Sequence, residues 1–405
     1  MAGRRPRIAI VGAGVAGAIV AGGLRELGDR VDVVCLERVA RGDHAGAGTG
    51  LNVGPNALKA LERHLPALAR CLYAESQPWR SWRISLTDGR LLMDLPLGEV
   101  ADNDGIRIRW SELYRLLREA AGPAIRYGIE VDEMRYAGPG EAGPLVLRYT
   151  DIATGREEVV DGIDLLIAGD GRYSQVRSAF FGPAEPTFLG IAIFRMLIEK
   201  AADTPIDDYE QWFNGPNRLL AFQVPGGAVY LAGAFPIPPG DETPPEDRQP
   251  SSLRARFLPA SGQPDAKCRF LIDALAADGA RLHWARFQQS PAAYRDRPGH
   301  VLLLGDASHA MVPTLGQGAT QAVEDACAAV ALIRASVTAD AFAAADMTAR
   351  YVACREARIR FVVDFSVAAT DTMLAGADPV AGAARKSGPA FRRDLERLYR
   401  DTPEI

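Results

Sequence analysis

The chain has 405 residues, is 48% hydrophobic and 24% charged, and carries a formal net charge of −5. That size suits a nucleotide-binding domain with a second domain threaded through it, and the composition excludes intrinsic disorder and a fibrous repeat. The acidic balance argues against a nucleic-acid partner, and neither a polybasic patch nor a long apolar run points to stable membrane association.

Residues 1–7 are basic, but only the short apolar run 8–11 follows, so no targeting segment is expected. From residue 7 the chain reads as a strand, a glycine turn, a helix to about Leu27 with Gly28 as its stop, and a strand ending near Glu37. A glycine-rich loop over 45–54 runs into Pro55 and a helix over 56–61. Alternating residues over 79–95 around Thr87-Asp88-Gly89 predict a hairpin, 113–121 a helix, and 145–160 a second hairpin around 151–155. The wholly apolar run 165–168 predicts a buried parallel strand. Residues 186–286 favour antiparallel sheet, interrupted by a proline- and acid-rich exposed loop over 236–250. A last buried strand over 301–304 precedes alanine-, leucine- and arginine-rich helices from about 321 onward. Cys35, Cys71, Cys268, Cys327 and Cys354 include no CxxC pair, so neither a disulfide framework nor a metal site is expected, and a reducing cytoplasm fits best. Cys35 and Cys327 read as small buried hydrophobes.

Gly12-Ala13-Gly14-Val15-Ala16-Gly17 lies between a strand and a helix, the context that makes a GxGxxG match meaningful. Gly12 permits the turn, Gly14 admits a pyrophosphate to the backbone, and Gly17 lets helix pack on strand, while Val15 and Ala16 open the helix toward the phosphates. Glu37, with Arg38 beside it, is placed to meet an adenosine ribose. A glycine turn without a ligand is the plainer reading. The motif alone does not separate FAD from NAD. The stretch 301–326 does: Asp306 at a strand end can bind a ribityl chain, and Gly316-Gln317-Gly318-Ala319 opens a helix whose N-terminus favours negative charge on a flavin pyrimidine edge.

On Gly305, Asp306, Ala307, His309, Pro313, Gly316, Gln317, Gly318, Glu324, Asp325 and Ala326 the chain resembles the class A flavoprotein monooxygenases, the family of 4-hydroxybenzoate, salicylate and 6-hydroxynicotinate hydroxylases. Residues 168–177 resemble that family's GADGxxSxVR segment, in which Asp170 and Gly171 form a turn near the cofactor or a purely structural one, and Ser174 caps the next helix. Residues 48–57 resemble its loop beside the isoalloxazine ring, so Gly50 and Leu51 would face flavin. Asn52 stands where 6-hydroxynicotinate enzymes have a substrate-contacting histidine, though it could simply bond its own turn. Two departures are Trp110, where the family has an FAD-contacting arginine that Arg109 could replace from one residue earlier or else face away, and Thr320, where several relatives carry asparagine.

The resemblance implies an α/β fold: a Rossmann-like FAD-binding domain over 1–75, 101–182 and 287–365, an interrupting antiparallel β-sheet substrate domain over 76–100 and 183–286, and a C-terminal helical tail over 366–405. It implies that NAD(P)H reduces FAD and that O2 then gives a flavin hydroperoxide that hydroxylates a small aromatic or N-heteroaromatic substrate, phenolic or carboxylated, in a monomer or homodimer. No second GxGxxG follows a strand, so NADH or NADPH would visit a surface groove, with no basis for choosing between them. Arg195, Asn52, Pro313 and His309 are the catalytic candidates, His309 being as readily a packing residue. Phe194, Trp212, Phe222, Gln223, Tyr230 and Thr314 are the substrate-binding candidates, and Arg195 could anchor an anionic group or belong to a structural salt bridge. The aromatics could equally be sheet core. Rival readings are the same machinery used for epoxidation, halogenation or decarboxylative hydroxylation, a non-catalytic flavin sensor, and an NAD-dependent dehydrogenase; the halogenase stretch WxWxIP does not occur.

Overall fold

The computed structural model describes residues 4–43, 49–141, 143–199, 204–238, 242–278 and 281–402. His44, residues 45–48 with Gly48, and residues 239–241 lie outside the described residues, and the rest of the expected 45–54 loop is mostly strand, Gly50–Val53.

A five-stranded, wholly parallel sheet runs in the order Val301–Leu303, Leu165–Ala168, Arg7–Val11, Asp32–Glu37 and Ile125–Tyr127. Its strands are apolar at successive positions because both faces are covered. Ile8 and Ile10 pack with helices Val15–Leu24 and Gln317–Thr338. Ala9 and Val11 face a three-stranded antiparallel sheet of Ile129–Tyr136, Leu145–Asp151 and Glu157–Ile163. A Cβ on Gly17 would overlap the Gly12 carbonyl, so this glycine lets the first helix dock on the sheet. That helix ends at Leu24 and continues as a 3-10 stretch in which Gly28 takes φ 53°, so the glycine stop stands where the sequence puts it while the regular helix is shorter.

The second layer is a seven-stranded sheet in the order His283–Gln289, Thr187–Ile198, Ala228–Pro236, Asn217–Val224, Tyr209–Asn214, Ser81–Leu86 and Leu91–Pro96. All its pairings are antiparallel except Tyr209–Asn214 with Ser81–Leu86. The 186–286 stretch is not wholly sheet: helices Pro250–Phe257 and Ala266–Asp278 cover the sheet's back. On that back Phe194, Trp212, Leu219, Ala221 and Phe235 pack against Leu253, Phe257 and Leu271. The opposite face carries Ile193, Arg195, Arg218, Leu220, Phe222, Tyr230 and Ala232 toward the parallel-sheet layer.

Strand Gly50–Val53 pairs with Gly105–Arg109, which also pairs with Gln77–Trp79. A Cβ on Gly50 would lie 2.9 Å from Val224 Cγ1 and 3.1 Å from Tyr230 Cβ, so glycine lets this strand press against the seven-stranded sheet. After Gln317–Thr338, helices Ala344–Ala368, Pro379–Lys386 and Pro389–Arg400 close the fold, the last burying Leu395, Leu398 and Tyr399 near Trp79 and Trp82.

Candidate active site

Two adjoining cavities, of about 720 Å³ and 680 Å³, open between the two main sheets. They share Gly14, Trp110, Tyr114, Arg172, Tyr173 and Arg195 in their walls.

The first is a groove along the C-terminal ends of the parallel strands, where ligands bind in open α/β sheets. Gly12 has φ 87°, and a Cβ there would come within 2.7 Å of Asp170 Cα and the Gly169 carbonyl. Gly14 caps the helix Val15–Leu24 with no side-chain hydrogen bond, leaving the helix N-terminus to a ligand. Glu37 and Arg38 line this groove. The Glu37 carboxylate accepts from Ala13 N at 2.6 Å and Val39 N at 3.0 Å. Asp170 also lines it; one carboxylate oxygen accepts from Gln175 N at 2.8 Å and Val176 N at 3.2 Å, while the other is buried without a partner. Burial pushes the Asp170 carboxyl above its ordinary value. Ser174 caps the following helix as its position suggests, accepting from Arg177 N at 2.9 Å.

The second cavity is a chamber. Its floor holds Val15, Ala16, Gly50, Leu51, Asn52, Asp306, Pro313, Gly316, Gly318 and Ala319, and its roof is the inner face of the seven-stranded sheet. Gly316 is left-handed at φ 65° and caps the helix Gln317–Thr338 without a side-chain bond. The Asn52 amide nitrogen is buried without a partner, close against Gly316. In the roof the Phe222 and Tyr230 rings stack at 4.7 Å. Arg195 is half-buried, and no hydrogen bond or ion pair joins its guanidinium to a described residue.

Several candidates lie elsewhere. Phe194 and Trp212 face the sheet's back, and Gln223, whose backbone amide donates to Asp207 O, shares the alternation of Leu219 and Ala221 rather than of Phe222. Thr314 is buried with its hydroxyl on Thr370 at 2.6 Å. Gln317 is buried beside Asn56 and Gln321. Gly17 serves helix packing. Arg109 turns away from both cavities and pairs with Glu199 at 3.0 Å. His309 is 1% exposed, lines neither cavity, and contacts Asp325 through Nε2 at 2.6 Å; the same Asp325 oxygen accepts from Gly305 N at 2.8 Å. It braces the turn that carries Asp306.

Other cavity residues were given no role in the sequence, Trp110 being named there only as a departure and Arg172 only within the segment 168–177. Trp110, Tyr114 and Arg118 follow one another at i, i+4 spacing along helix Trp110–Ala121 and form one wall, with Arg118 Cζ 5.0 Å from the Tyr114 ring. Arg172 stands 3.6 Å from Asp306, and Arg218 and Tyr209 sit deep in the roof. The helical spacing was a usable signal for the first three; strand alternation told only of Arg195's own strand, because carrying it to Arg218 and Tyr209 needs the pairing register.

A model of the FAD binding domain family matches residues 111–366. The chain belongs to this family, and it is an FAD-dependent monooxygenase. The chain is 30% identical over 336 residues, 79% of this chain and 80% of the relative, to a 6-hydroxynicotinate 3-monooxygenase of Pseudomonas fluorescens. It is 29% identical over 384 residues, 88% of this chain and 86% of the relative, to a 3-amino-4-hydroxybenzoate 2-monooxygenase of Streptomyces platensis. The fold is that of Klebsiella pneumoniae HpxO complexed with FAD and uric acid, at TM-score 0.76 and 22% identity, covering 97% of this chain and 93% of that one. The residues present in this monooxygenase fit FAD: two uncapped helix N-termini meet the cavities, and buried polar atoms of Asp170 and Asn52 await partners there. NADH or NADPH is the co-substrate. Among the described residues no helix is long and apolar enough to cross a membrane.

Proposed function

We propose that this monooxygenase hydroxylates a small aromatic or N-heteroaromatic compound, phenolic or carboxylated, in the chamber beneath the seven-stranded sheet. The observation that carries this reading is the chamber itself, in which glycines suited to a flavin face a stacked Phe222–Tyr230 pair and a guanidinium, Arg195, with no described protein partner. Epoxidation or another oxidation of such a ring remains the alternative chemistry. Residues 1–75, 101–182 and 287–365 would form the flavin domain, 76–100 and 183–286 the substrate domain, and 366–405 the helical tail. A cytoplasmic monomer or homodimer completes the reading; the cysteines, none of them paired, are in keeping with a reducing compartment.

Gly12, Gly14, Val15, Ala16, Glu37, Arg38 and Asp170 would hold the adenosine diphosphate portion of FAD, and Gly50, Leu51, Asp306, Gly316, Gly318 and Ala319 the flavin portion. When bound, FAD passes electrons from NAD(P)H to dioxygen and delivers one oxygen atom to the substrate. The chain's own work is placement and exclusion of water. Phe222 and Tyr230 offer a flat apolar surface to the ring, Pro313 closes the side of the chamber, and the unpartnered Asn52 amide donates to a polar ring substituent. Arg195 lines both cavities, so its fork reaches an anionic group near the flavin.

A panel of hydroxybenzoates, hydroxypyridines and phenols, screened for stimulated NAD(P)H oxidation with product mass and peroxide measured, tests the reading. Stimulation with a product 16 mass units heavier is expected, on the order of one oxygen atom per turnover; peroxide alone with every compound speaks against hydroxylation. Asp306→Ala should weaken FAD binding on the order of ten- to a hundredfold by losing charged hydrogen bonds to the ribityl chain, with the fold kept. Unchanged flavin occupancy on dialysis removes that role. Arg195→Met should keep FAD and the thermal midpoint while KM rises on the order of ten- to a hundredfold. A lowered midpoint with ordinary kinetics instead assigns Arg195 to structure.

A further inference from the structure

The segments that follow three adjacent strands of the parallel sheet lie side by side. Strand Leu165–Ala168 sits between Arg7–Val11 and Val301–Leu303, so residues 169–172 run between the Gly12–Gly14 turn on one side and Asp306 on the other. Gly169 N donates to Val11 O at 2.8 Å, and a Cβ on Gly14 would lie 3.2 Å from the Gly169 carbonyl. On the far side Leu304 N donates to Ala168 O at 3.0 Å. With the pyrophosphate of FAD at the Gly14 helix N-terminus and its ribityl chain at Asp306, the link between them passes over this middle segment. Arg172 is the cation that meets it there, because it lines both cavities.

The backbone that carries Arg172 is braced. Gly171 turns at φ 78°, and the Asp170 carboxylate accepts from Gln175 N and Val176 N. The guanidinium is held loosely by comparison. Its Nη1 and Nη2 reach the Gln288 and Met311 carbonyls at 3.4 Å each, and its Nε stands 3.6 Å from Asp306. All of these exceed the about 2.7–3.2 Å of an ordinary N–H···O bond. The other nearby cations are placed differently. Arg118 donates to Ala13 O at 3.0 Å and stands 3.6 Å from Glu37, Arg109 pairs with Glu199 outside both cavities, Arg38 is exposed beside Glu37, and Arg195 belongs to the roof. A helix N-terminus supplies roughly half a positive charge, less than a doubly charged pyrophosphate requires. A guanidinium fork matches two phosphate oxygens.

We propose that Arg172 binds the pyrophosphate of FAD in preference to its long contacts with Gln288 and Met311, as a clamp opposite the Gly14 helix N-terminus. This rests on the placement of FAD given above and adds to it the residue that joins the adenosine half of the site to the flavin half.

Calorimetric titration of the flavin-free protein with FAD, ADP and riboflavin tests the assignment part by part and without turnover. Arg172→Gln keeps a donor for the two carbonyls and removes the charge. It is expected to weaken FAD and ADP on the order of ten- to a hundredfold, while riboflavin, which has no phosphate, binds as before. Arg172→Lys should recover part of the loss. An Arg172→Gln protein that binds FAD or ADP as tightly as the unaltered protein does, or that loses riboflavin as much as ADP, overturns the proposal. A lowered thermal midpoint beside such equal losses assigns the side chain to holding its own loop. Failure of the FAD placement shows separately, as an unaltered protein that binds riboflavin but not ADP, and takes the proposal with it.

Discussion

Arg355→Met is expected to cost about 3–5 kcal/mol of folding stability, a large part of the roughly 5–15 kcal/mol that holds a typical domain together. Arg355 is wholly buried between two adjacent carboxylates of helix Gln317–Thr338. It donates to Asp325 at 2.8 Å, to Glu324 at 2.6 Å and to the Gln321 side chain at 2.7 Å. Arg358 also reaches Glu324 at 3.0 Å, Asn56 bonds the same carboxylate, and His309 takes the other side of Asp325. Removing one guanidinium strands buried negative charge, which is why the loss exceeds that of an exposed pair. Burial alone would push both carboxyls up. Arg358 and Arg355 nevertheless hold Glu324 down to about 2, and His309 and Arg355 keep Asp325 well below the ordinary carboxylate range. Depressed folded values mean a contribution fully present above about pH 4 and lost as the pH falls toward those values. Urea midpoints should therefore drop steeply on acidification for the unaltered protein and less steeply for Arg355→Met. Equal midpoints at neutral pH contradict the assignment.

Gly318→Leu should fold normally and lose FAD, with affinity falling on the order of a hundredfold. No left-handed conformation requires glycine at this position, and the atom nearest an added Cβ is Asp306 Oδ1, at an ordinary 3.7 Å. The protein's own packing therefore tolerates a side chain. The chamber does not, because Gly318 forms its floor at the start of a helix. Gly12 is a less discriminating test, since its Cβ would strike the backbone of Gly169 and Asp170 whether or not a ligand is present. Flavin absorbance per protein after gel filtration, with a melting curve on the same sample, separates the two effects. Full flavin content in a well-folded Gly318→Leu protein removes this residue from the site.

The parts of the site most legible in the sequence were those where backbone geometry dictates residue type. Gly12, Gly28 and Gly316 all take the positive φ their contexts suggest, and Ser174 is the cap its spacing implies. The sheet roof was harder because both of its faces are apolar, so alternation says which residues share a face and not which face meets a ligand. Arg195 carried that information for its own strand: Phe194, one residue away, had to point to the back. Extending the parity to Trp212 or Gln223 needs the pairing register, a long-range property. Helices Pro250–Phe257 and Ala266–Asp278, which make the back a second core, follow proline- and acid-rich sequence that conceals their apolar residues among charges. Arg218 was overlooked because, unlike Arg195 within its apolar run, it directly follows Asn214-Gly215-Pro216-Asn217 and reads as a turn residue until its burial is known.

The placement of the last helix bears on the order in which the protein can mature during synthesis. Arg358, which holds Glu324, is itself fastened by the carbonyls of Arg397 and Leu398. Lys59, at the other end of the chain, donates to the Arg400 carbonyl at 2.9 Å. The central strand of the parallel sheet emerges from the ribosome first and its edge strand Val301–Leu303 much later. Even then, the charges behind the Gly316 turn are not locked until about a hundred further residues have been made. The floor of the chamber at Gly316 is thus braced through contacts that reach from residue 59 to residue 400, and its rigidity depends on segments far apart in the sequence being joined.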